Sequence, residues 1–198
     1  MTACKRSMDR LSLIFLGCLL LAGGLHGSEQ QQVELKVIKQ INNYACGIAC
    51  LTAVLDYWDV GTAQQRLLRL YPPQQSSRGY SLGRLKRIAQ KYGLKGYALL
   101  ADFHFLQEQI ENGRPVIVGL VVPYNLYSLD FIRDIPVYGR VFDYLNRAAT
   151  FSHFVVVCSV DDSHIRIMDP LYGLKTISRQ AFQAMWDRKK NALLLVTA

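Results

Sequence analysis

The spacing of apolar residues in the first half of the chain predicts three successive helices. Beginning at Cys46, apolar side chains recur every three or four positions, as they do on the buried face of an α-helix. Ser81 and Asp102 each precede the same spacing, and both residue types are common helix caps. Gly93 and Gly113 lie where the second and third patterns end. The predicted inward-facing residues are Ile48, Leu51, Val54, Leu55, Leu82, Leu85, Ile88, Ala89, Phe103, Leu106 and Ile110.

The second half of the chain is predicted to consist mainly of strands. Residues 116–122 form a continuous apolar run, which is typical of a buried strand. Residues 154–159 and 164–168 are predicted to form two strands joined by a turn, and residues 192–197 to form the last strand. A short helix at 178–187 precedes that strand. One helical layer followed by a largely antiparallel sheet predicts an α+β fold.

Composition and charge indicate one globular domain that does not bind nucleic acid. Hydrophobic residues make up 51% of the 198 residues and charged residues 19%, which suits a domain with an ordinary core. The net charge is +8, but the basic residues are scattered, and clusters such as 188–190 are short. We interpret them as a solvated basic face. Residues 123–151 show no clean period and are predicted to be a long loop or short helical insertion in the domain 28–198, with a loop favoured.

The first 27 residues have the pattern of a cleaved export signal. Three basic residues precede an apolar stretch at 11–22, which is shorter than the roughly 20 residues needed to span a bilayer. Cys18 lies in a triplet that resembles a lipoprotein box, but apolar residues follow it, so a lipid anchor is the less favoured alternative. We therefore predict an exported protein.

The cysteines left after removal of the signal supply a candidate nucleophile. Cys46, Cys50 and Cys158 cannot all pair in disulfides, so at least one thiol is free. Cys46 lies at the predicted start of a helix, where unpaired N–H groups and the helix dipole favour a thiolate and can stabilise an oxyanion. Gln40 can supply a second oxyanion donor from its side-chain amide. Gly47 is predicted to leave room for a substrate backbone.

A structural interpretation of these cysteines stays open. Cys46 and Cys50 are also compatible with two small core residues on one helical face, and buried inert cysteines are common. Cys50, one turn further into the helix, fits that interpretation well. A zinc site formed by the cysteines and a histidine lacks a fourth ligand at a recognisable spacing. The sequence therefore predicts neither a metal nor a cofactor.

His153 and Asp169 are candidate partners for the thiol. They are equally distant from Asp161, in the predicted turn between their strands. With a three-residue turn at 160–162, residue 153 pairs directly with residue 169, and their side chains share one face of the sheet. A carboxylate beside one ring nitrogen orients the imidazole and leaves the other nitrogen for the thiol. A register shift of one residue would place them on opposite faces.

Each partner also has a simpler interpretation. His153 can be a strand-end histidine bound to a carbonyl, and Asp169 can be a turn residue. His104 and His164, however, lack an equally placed acid. The three positions taken together predict a cysteine peptidase.

At these positions the sequence resembles the C39 peptidases, which are papain-like cysteine peptidases that process bacteriocins or cut double-glycine leaders. The resemblance covers most of residues 36–197. It implies N-terminal helices packed on an antiparallel sheet, with Cys46 as nucleophile, His153 as base, Asp169 as orienting acid and Gln40 as oxyanion donor. The matching elements are Gln40, Cys46-Gly47, Ala49-Cys50-Leu51, Gly79-Tyr80-Ser81-Leu82, Lys86, residues 152–157, Asp169-Pro170 and Gly173.

Family members commonly cut leader peptides after a Gly-Gly pair. The chain shows no transporter or ATPase segment and resembles exported stand-alone members, such as the FapD-like peptidases of functional-amyloid secretion systems in Gram-negative bacteria. This resemblance implies a periplasmic location, an exported protein or leader peptide as substrate, and outer-membrane secretion machinery as partner. Ala45 stands where many members carry an acidic residue, and residues 123–151 exceed the compact family core. Both departures bear on substrate preference.

Two alternatives to a peptidase stay open. A thiol acyltransferase or amidase would use the same thiol site with a different acceptor or substrate. A non-enzymatic module would bind secretion substrates and retain the site as a relic.

Overall fold

The computed structural model describes residues 33–75, 79–123 and 149–198. The expected export signal and most of the expected insertion at 123–151 lie outside the described residues. Pro123 and residues 150–151, at the expected ends of the insertion, belong to strands.

The described residues form five helices and six strands. The helices are α1 (Cys46–Tyr57), α2 (Gln64–Leu70), α3 (Leu82–Lys91), α4 (Phe103–Glu111) and α5 (Arg179–Asp187). The strands are β1 (Lys95–Leu100), β2 (Val116–Pro123), β3 (Thr150–Val160), β4 (His164–Asp169), β5 (Gly173–Ser178) and β6 (Ala192–Thr197). The side chains of Ser81, Asp102 and Ser178 cap α3, α4 and α5. Helix α2 and strands β1 and β5 were not predicted from the sequence.

The strands form one antiparallel sheet in the order β1-β6-β2-β3-β4-β5. Helices packed on an antiparallel sheet confirm the predicted α+β fold. None of the helices in the described ranges is long and apolar enough to cross a bilayer.

Helices cover both faces of the sheet, whereas the sequence predicted one helical layer. Helices α1, α2 and α3 contribute to a core with Ile117 and Val156 from one face. Helices α4 and α5 contribute to a second core with Val118 and Val157 from the other face. Burial on both faces explains why β2 is apolar without alternation.

The β3–β4 hairpin has a different register from the predicted one. Val157 pairs with Ile167 and Val160 with Ile165, and a register shift lies between them. The neighbouring position to the Val156–Met168 pair places Asp169 opposite residue 155. Asp169 is therefore not opposite residue 153, as the sequence had predicted. The predicted direct pairing was therefore wrong. The error is two residues, and because side chains alternate along a strand, residues 153 and 169 still share a face as diagonal neighbours.

Candidate active site

Cys46 is the first residue of α1 and lines a cleft of about 870 Å³. It is partly exposed, whereas the next nine residues of the helix are buried. Ala45 occupies the N-cap position and provides no side-chain acceptor. The amide groups of the first turn therefore lack the side-chain cap that serine or aspartate would supply at this position.

Gly47 has a packing role that the sequence did not predict. A Cβ atom added there would lie 3.1 Å from Leu85 Cδ1 and 3.2 Å from Phe154 Cδ2. Leu85 is buried, and Phe154 is half-buried and also lines the cleft, so the missing side chain lets α1 pack closely against α3 and β3. Close packing fixes where the helix, and with it Cys46, begins.

His153 and Asp169 are in direct contact. His153 Nε2 lies 3.0 Å from Asp169 Oδ1, and both residues are almost completely buried. The same carboxylate oxygen accepts hydrogen bonds from the backbone N–H groups of Leu171 at 2.7 Å and Tyr172 at 3.2 Å. Asp169 therefore orders the turn between β4 and β5 as well as the imidazole.

The electrostatics of His153 favour its protonated form. Burial alone would lower the pKa of this imidazole. Hydrogen bonds to Asp169 and to Cys46, together with the charges of both groups, outweigh burial and raise the pKa to about 9. Because Nε2 contacts Asp169, Nδ1 is the ring nitrogen left for the thiol. The geometry can thus hold an imidazolium between a carboxylate and a thiolate.

Gln40 lines the same cleft as Cys46 and His153. Its backbone N–H donates to Pro170 O at 2.9 Å, and its Nε2 donates to Asn42 O at 2.9 Å. The side-chain amide therefore has one N–H engaged and one left over. Its Oε1 is buried and has no hydrogen-bond partner among the described residues.

Cys50 and Cys158 have the environment of inert core thiols. Both are buried and free of disulfides. Burial raises the pKa of Cys50 well above its ordinary value and raises the pKa of Cys158 to about 12. Within the described ranges, no three His, Cys, Asp or Glu residues are grouped to hold a metal.

Two parts of the cleft were not anticipated from the sequence. Gly79 has a φ of +63°, and a Cβ there would lie 3.0 Å from Tyr44 O, so glycine permits this close approach beside the nucleophile. Lys189, interpreted from the sequence as part of a solvated cluster, lines the cleft and donates from Nζ to Ser152 Oγ at 2.6 Å. A sequence signal existed for Gly79, within the Gly-Tyr-Ser-Leu element, but not for Lys189.

The sequence family described as Peptidase_C39 like matches residues 32–193. The chain belongs to this family. It is therefore a cysteine peptidase by membership, as expected from the sequence. No curated protein is similar enough in sequence to match this C39-like chain.

Solved structures share the fold of this C39-like peptidase. The peptidase domain of Streptococcus ComA, a bifunctional ABC transporter involved in quorum sensing, is 18% identical with a TM-score of 0.59, covering 83% of this chain and 98% of that one. A C39-like peptidase from Bacillus anthracis is 18% identical with a TM-score of 0.61, covering 84% and 98%. A double-glycine motif protease from an AMS/PCAT transporter, in complex with its leader peptide, is 18% identical with a TM-score of 0.51, covering 85% and 95%.

Proposed function

We propose that this C39-like peptidase cleaves a polypeptide with Cys46 as nucleophile, His153 as acid and base, and Asp169 as the orienting carboxylate. The observation that carries the proposal is the 3.0 Å contact of His153 with Asp169, beside a partly exposed thiol at a helix start. Cys50 and Cys158, the other cysteines among the described residues, are buried and have raised pKa values, which favours Cys46 as the reactive cysteine.

In the proposed reaction, the Cys46 thiolate attacks the scissile carbonyl and forms a C–S bond. The first-turn amides of α1 and the free N–H of Gln40 bind the resulting oxyanion. The His153 imidazolium gives its proton to the amine as the C–N bond breaks, which leaves a thioester. Water then gives a proton to His153 and attacks the thioester, releasing the acid product and the thiolate.

The proposed substrate is a leader peptide or another exported polypeptide with a Gly-Gly pair before the scissile bond. Support comes from family membership and from the shared fold with a double-glycine protease solved with its leader peptide. The aromatic residues that line the cleft also favour a slim substrate backbone. They are Tyr44, Tyr80, Phe151, Phe154 and Tyr172.

Paired peptides test this proposal. Two synthetic peptides of identical sequence, one with Gly-Gly and one with Ala-Ala before the scissile bond, are incubated with the wild type, Cys46→Ala and the control Cys50→Ala. We expect cleavage of the Gly-Gly peptide by the wild type and the control only. Transfer of the acyl group to an added amine without hydrolysis would favour an acyltransferase. Binding without any cleavage by the wild type would favour a non-enzymatic module.

We also propose that the protein acts after export, with residues 1–27 removed, in the periplasm of a Gram-negative cell. The basic residues and apolar stretch of that segment support this. A role in functional-amyloid secretion, with outer-membrane machinery as partner, is the specific form that the sequence resemblance favours. Fractionation with intact-mass measurement tests the location: a full-length cytosolic chain would contradict export.

A further inference from the structure

Gln64 is a polar residue buried at the start of α2, where it bridges the two neighbours of Gln40. It is 5% exposed. Its Oε1 accepts from the backbone N–H of Ile41 at 3.0 Å, and its Nε2 donates to the carbonyl of Lys39 at 2.8 Å. Turning the amide over would place acceptor against acceptor and donor against donor, so the contacts fix its orientation.

The backbone around Gln40 is held from the opposite side as well. The Gln40 N–H donates to Pro170 O at 2.9 Å, and Lys39 Nζ donates to Leu171 O at 2.9 Å. These acceptors belong to the turn that the Asp169 carboxylate orders. The backbone of Gln40 is therefore held between α2 and the turn after β4, and the residue lines the cleft.

We propose that Gln64 is a positioning residue that holds Gln40 where its amide can bind the oxyanion. The inference rests on the proposed thiol chemistry and adds a residue that does not touch the substrate. Oxyanion donors act through preorganisation, and a displacement of about 1 Å can cost roughly 10²-fold in rate. Without the hydrogen bonds from Gln64 to Lys39 and Ile41, the Gln40 backbone would shift while Cys46 and His153 keep their places.

Two reagents separate this role from a general structural one. Iodoacetamide alkylates the thiolate at a saturated carbon and forms no oxyanion. 4-Nitrophenyl acetate acylates the thiol through a tetrahedral oxyanion and releases nitrophenolate. We expect Gln64→Ala to slow acylation about tenfold, and Gln40→Ala about 10²-fold, against a Cys46→Ala blank. Alkylation of Cys46 should stay within about twofold of wild type in both variants.

A double-mutant cycle shows whether Gln64 acts through Gln40. In the Gln40→Ala background, Gln64→Ala should slow acylation by no more than about twofold. Gln109→Ala is the matched control, because Gln109 is also a buried glutamine but lies on α4 and accepts a hydrogen bond from Arg114. Its acylation rate should equal that of the wild type. Equal slowing by Gln64→Ala in both backgrounds would overturn the positioning role of Gln64 but not the proposed thiol chemistry. A wild type that acylates no faster than Cys46→Ala would overturn the thiol chemistry as well.

A separate observation concerns Lys189, the basic side chain at the cleft. Its ammonium group contacts Ser152. Its Cγ lies 3.8 Å from the position that a Cβ atom on Gly119 would take, so the aliphatic part of the side chain lies beside the backbone of Gly119. None of the described residues that line the cleft is an aspartate or a glutamate. The ammonium group therefore has no carboxylate neighbour in the cleft lining.

The backbone that carries Lys189 is held in an uncommon conformation. Lys190 and Asn191 have φ values of 55° each, in the left-handed region. The Lys189 N–H donates to Trp186 O at 2.8 Å, and the Ala192 N–H donates to Lys189 O at 3.2 Å. Left-handed conformations are unfavourable for non-glycine residues and are frequent at functional sites.

We infer that Lys189 is a specificity residue that binds a carboxylate side chain of the peptide substrate. Like the positioning role of Gln64, this inference rests on the proposed function.

A proteome-derived peptide library is digested with the wild type, Lys189→Glu and the control Lys190→Glu, which changes the same charge one residue away. We expect the wild type and the control to favour Asp or Glu at one position near the cut. The Lys189→Glu variant should favour Lys or Arg there. An unchanged preference in Lys189→Glu would overturn the inference, whereas absence of any wild-type cleavage would overturn the peptidase proposal itself.

Discussion

At the scale of single residues, Asp169 combines two roles in one oxygen atom. Its Oδ1 contacts His153 and accepts two backbone N–H groups of the following turn. Asparagine offers a neutral oxygen of the same shape, so Asp169→Asn should keep the turn while it removes the charge. The two roles can therefore be separated by one substitution.

We expect Asp169→Asn to lower the pKa of His153 from about 9, because the carboxylate is one of the groups that raise it. Cleavage of the Gly-Gly peptide by the wild type should fall only as pH rises through about 9, where the imidazolium that protonates the leaving amine is lost. In the variant this basic limb should move to lower pH, and the maximal rate should drop by about 10²-fold or more. A pH profile from 6 to 10 measures both (roughly the range in which such groups titrate). An unmoved limb would contradict the assigned pairing.

Differential labelling tests the environments of the three described cysteines. Iodoacetamide at neutral pH should modify Cys46 much faster than Cys50 or Cys158, by about 10²-fold or more, because the latter two are buried with raised pKa values. His153→Gln should slow the labelling of Cys46 only. Peptide mapping by mass spectrometry gives the rates, and labelling after denaturation provides the control. Similar rates in the native protein would show that Cys46 is not activated.

At the scale of elements, the start of α1 depends on one missing methyl group. Gly47→Ala would crowd Leu85 and Phe154 at 3.1 and 3.2 Å, so these two side chains would have to be displaced where they pack against the helix start. We expect a loss of about 1–3 kcal/mol in unfolding free energy and a lower acylation rate. Gly83→Ala, in α3, has open space around its Cβ and should gain about 0.5–1 kcal/mol. Denaturant unfolding compares the two; a stabilised Gly47→Ala would contradict the packing account.

Prediction from the sequence succeeded for three of the helices and failed for the register of the β3–β4 hairpin. Caps and apolar spacing identified α1, α3 and α4 because these signals are local. The register of the hairpin depends on an irregularity near Cys158 and on a turn that Asp161 shapes through hydrogen bonds to the N–H groups of Ser163 and His164. Neither leaves a signal in residue spacing. The register error is two residues, and side chains two residues apart on a strand lie on the same face. The prediction that His153 and Asp169 share a face was therefore correct although the register was wrong.

At the scale of the whole molecule, the sequence did not predict the contacts between residues that lie far apart along the chain. The edge strands β1 and β5 are largely exposed and lack an alternating pattern, so nothing in them predicts pairing with β6 or β4. Gln64 is likewise one glutamine among several until the fold brings it beside Lys39 and Ile41. The candidate site residues Cys46, His153 and Asp169 could be chosen from sequence, whereas Gln64, the proposed positioning residue, could not.

The imidazole also links the site to the stability of the whole chain. The pKa of His153 rises from an ordinary value of 6.5 to about 9 on folding, so the folded state binds the proton more tightly. The resulting stabilisation is fully present below pH 6.5 and is lost as pH rises through about 9. His153→Gln lacks this contribution, while the buried cysteines titrate alike in both proteins and cancel. The difference in unfolding free energy between wild type and variant should therefore shrink steadily across that window. Denaturant titrations at several pH values measure it, and a difference that stays constant would mean that His153 is neutral in the folded protein.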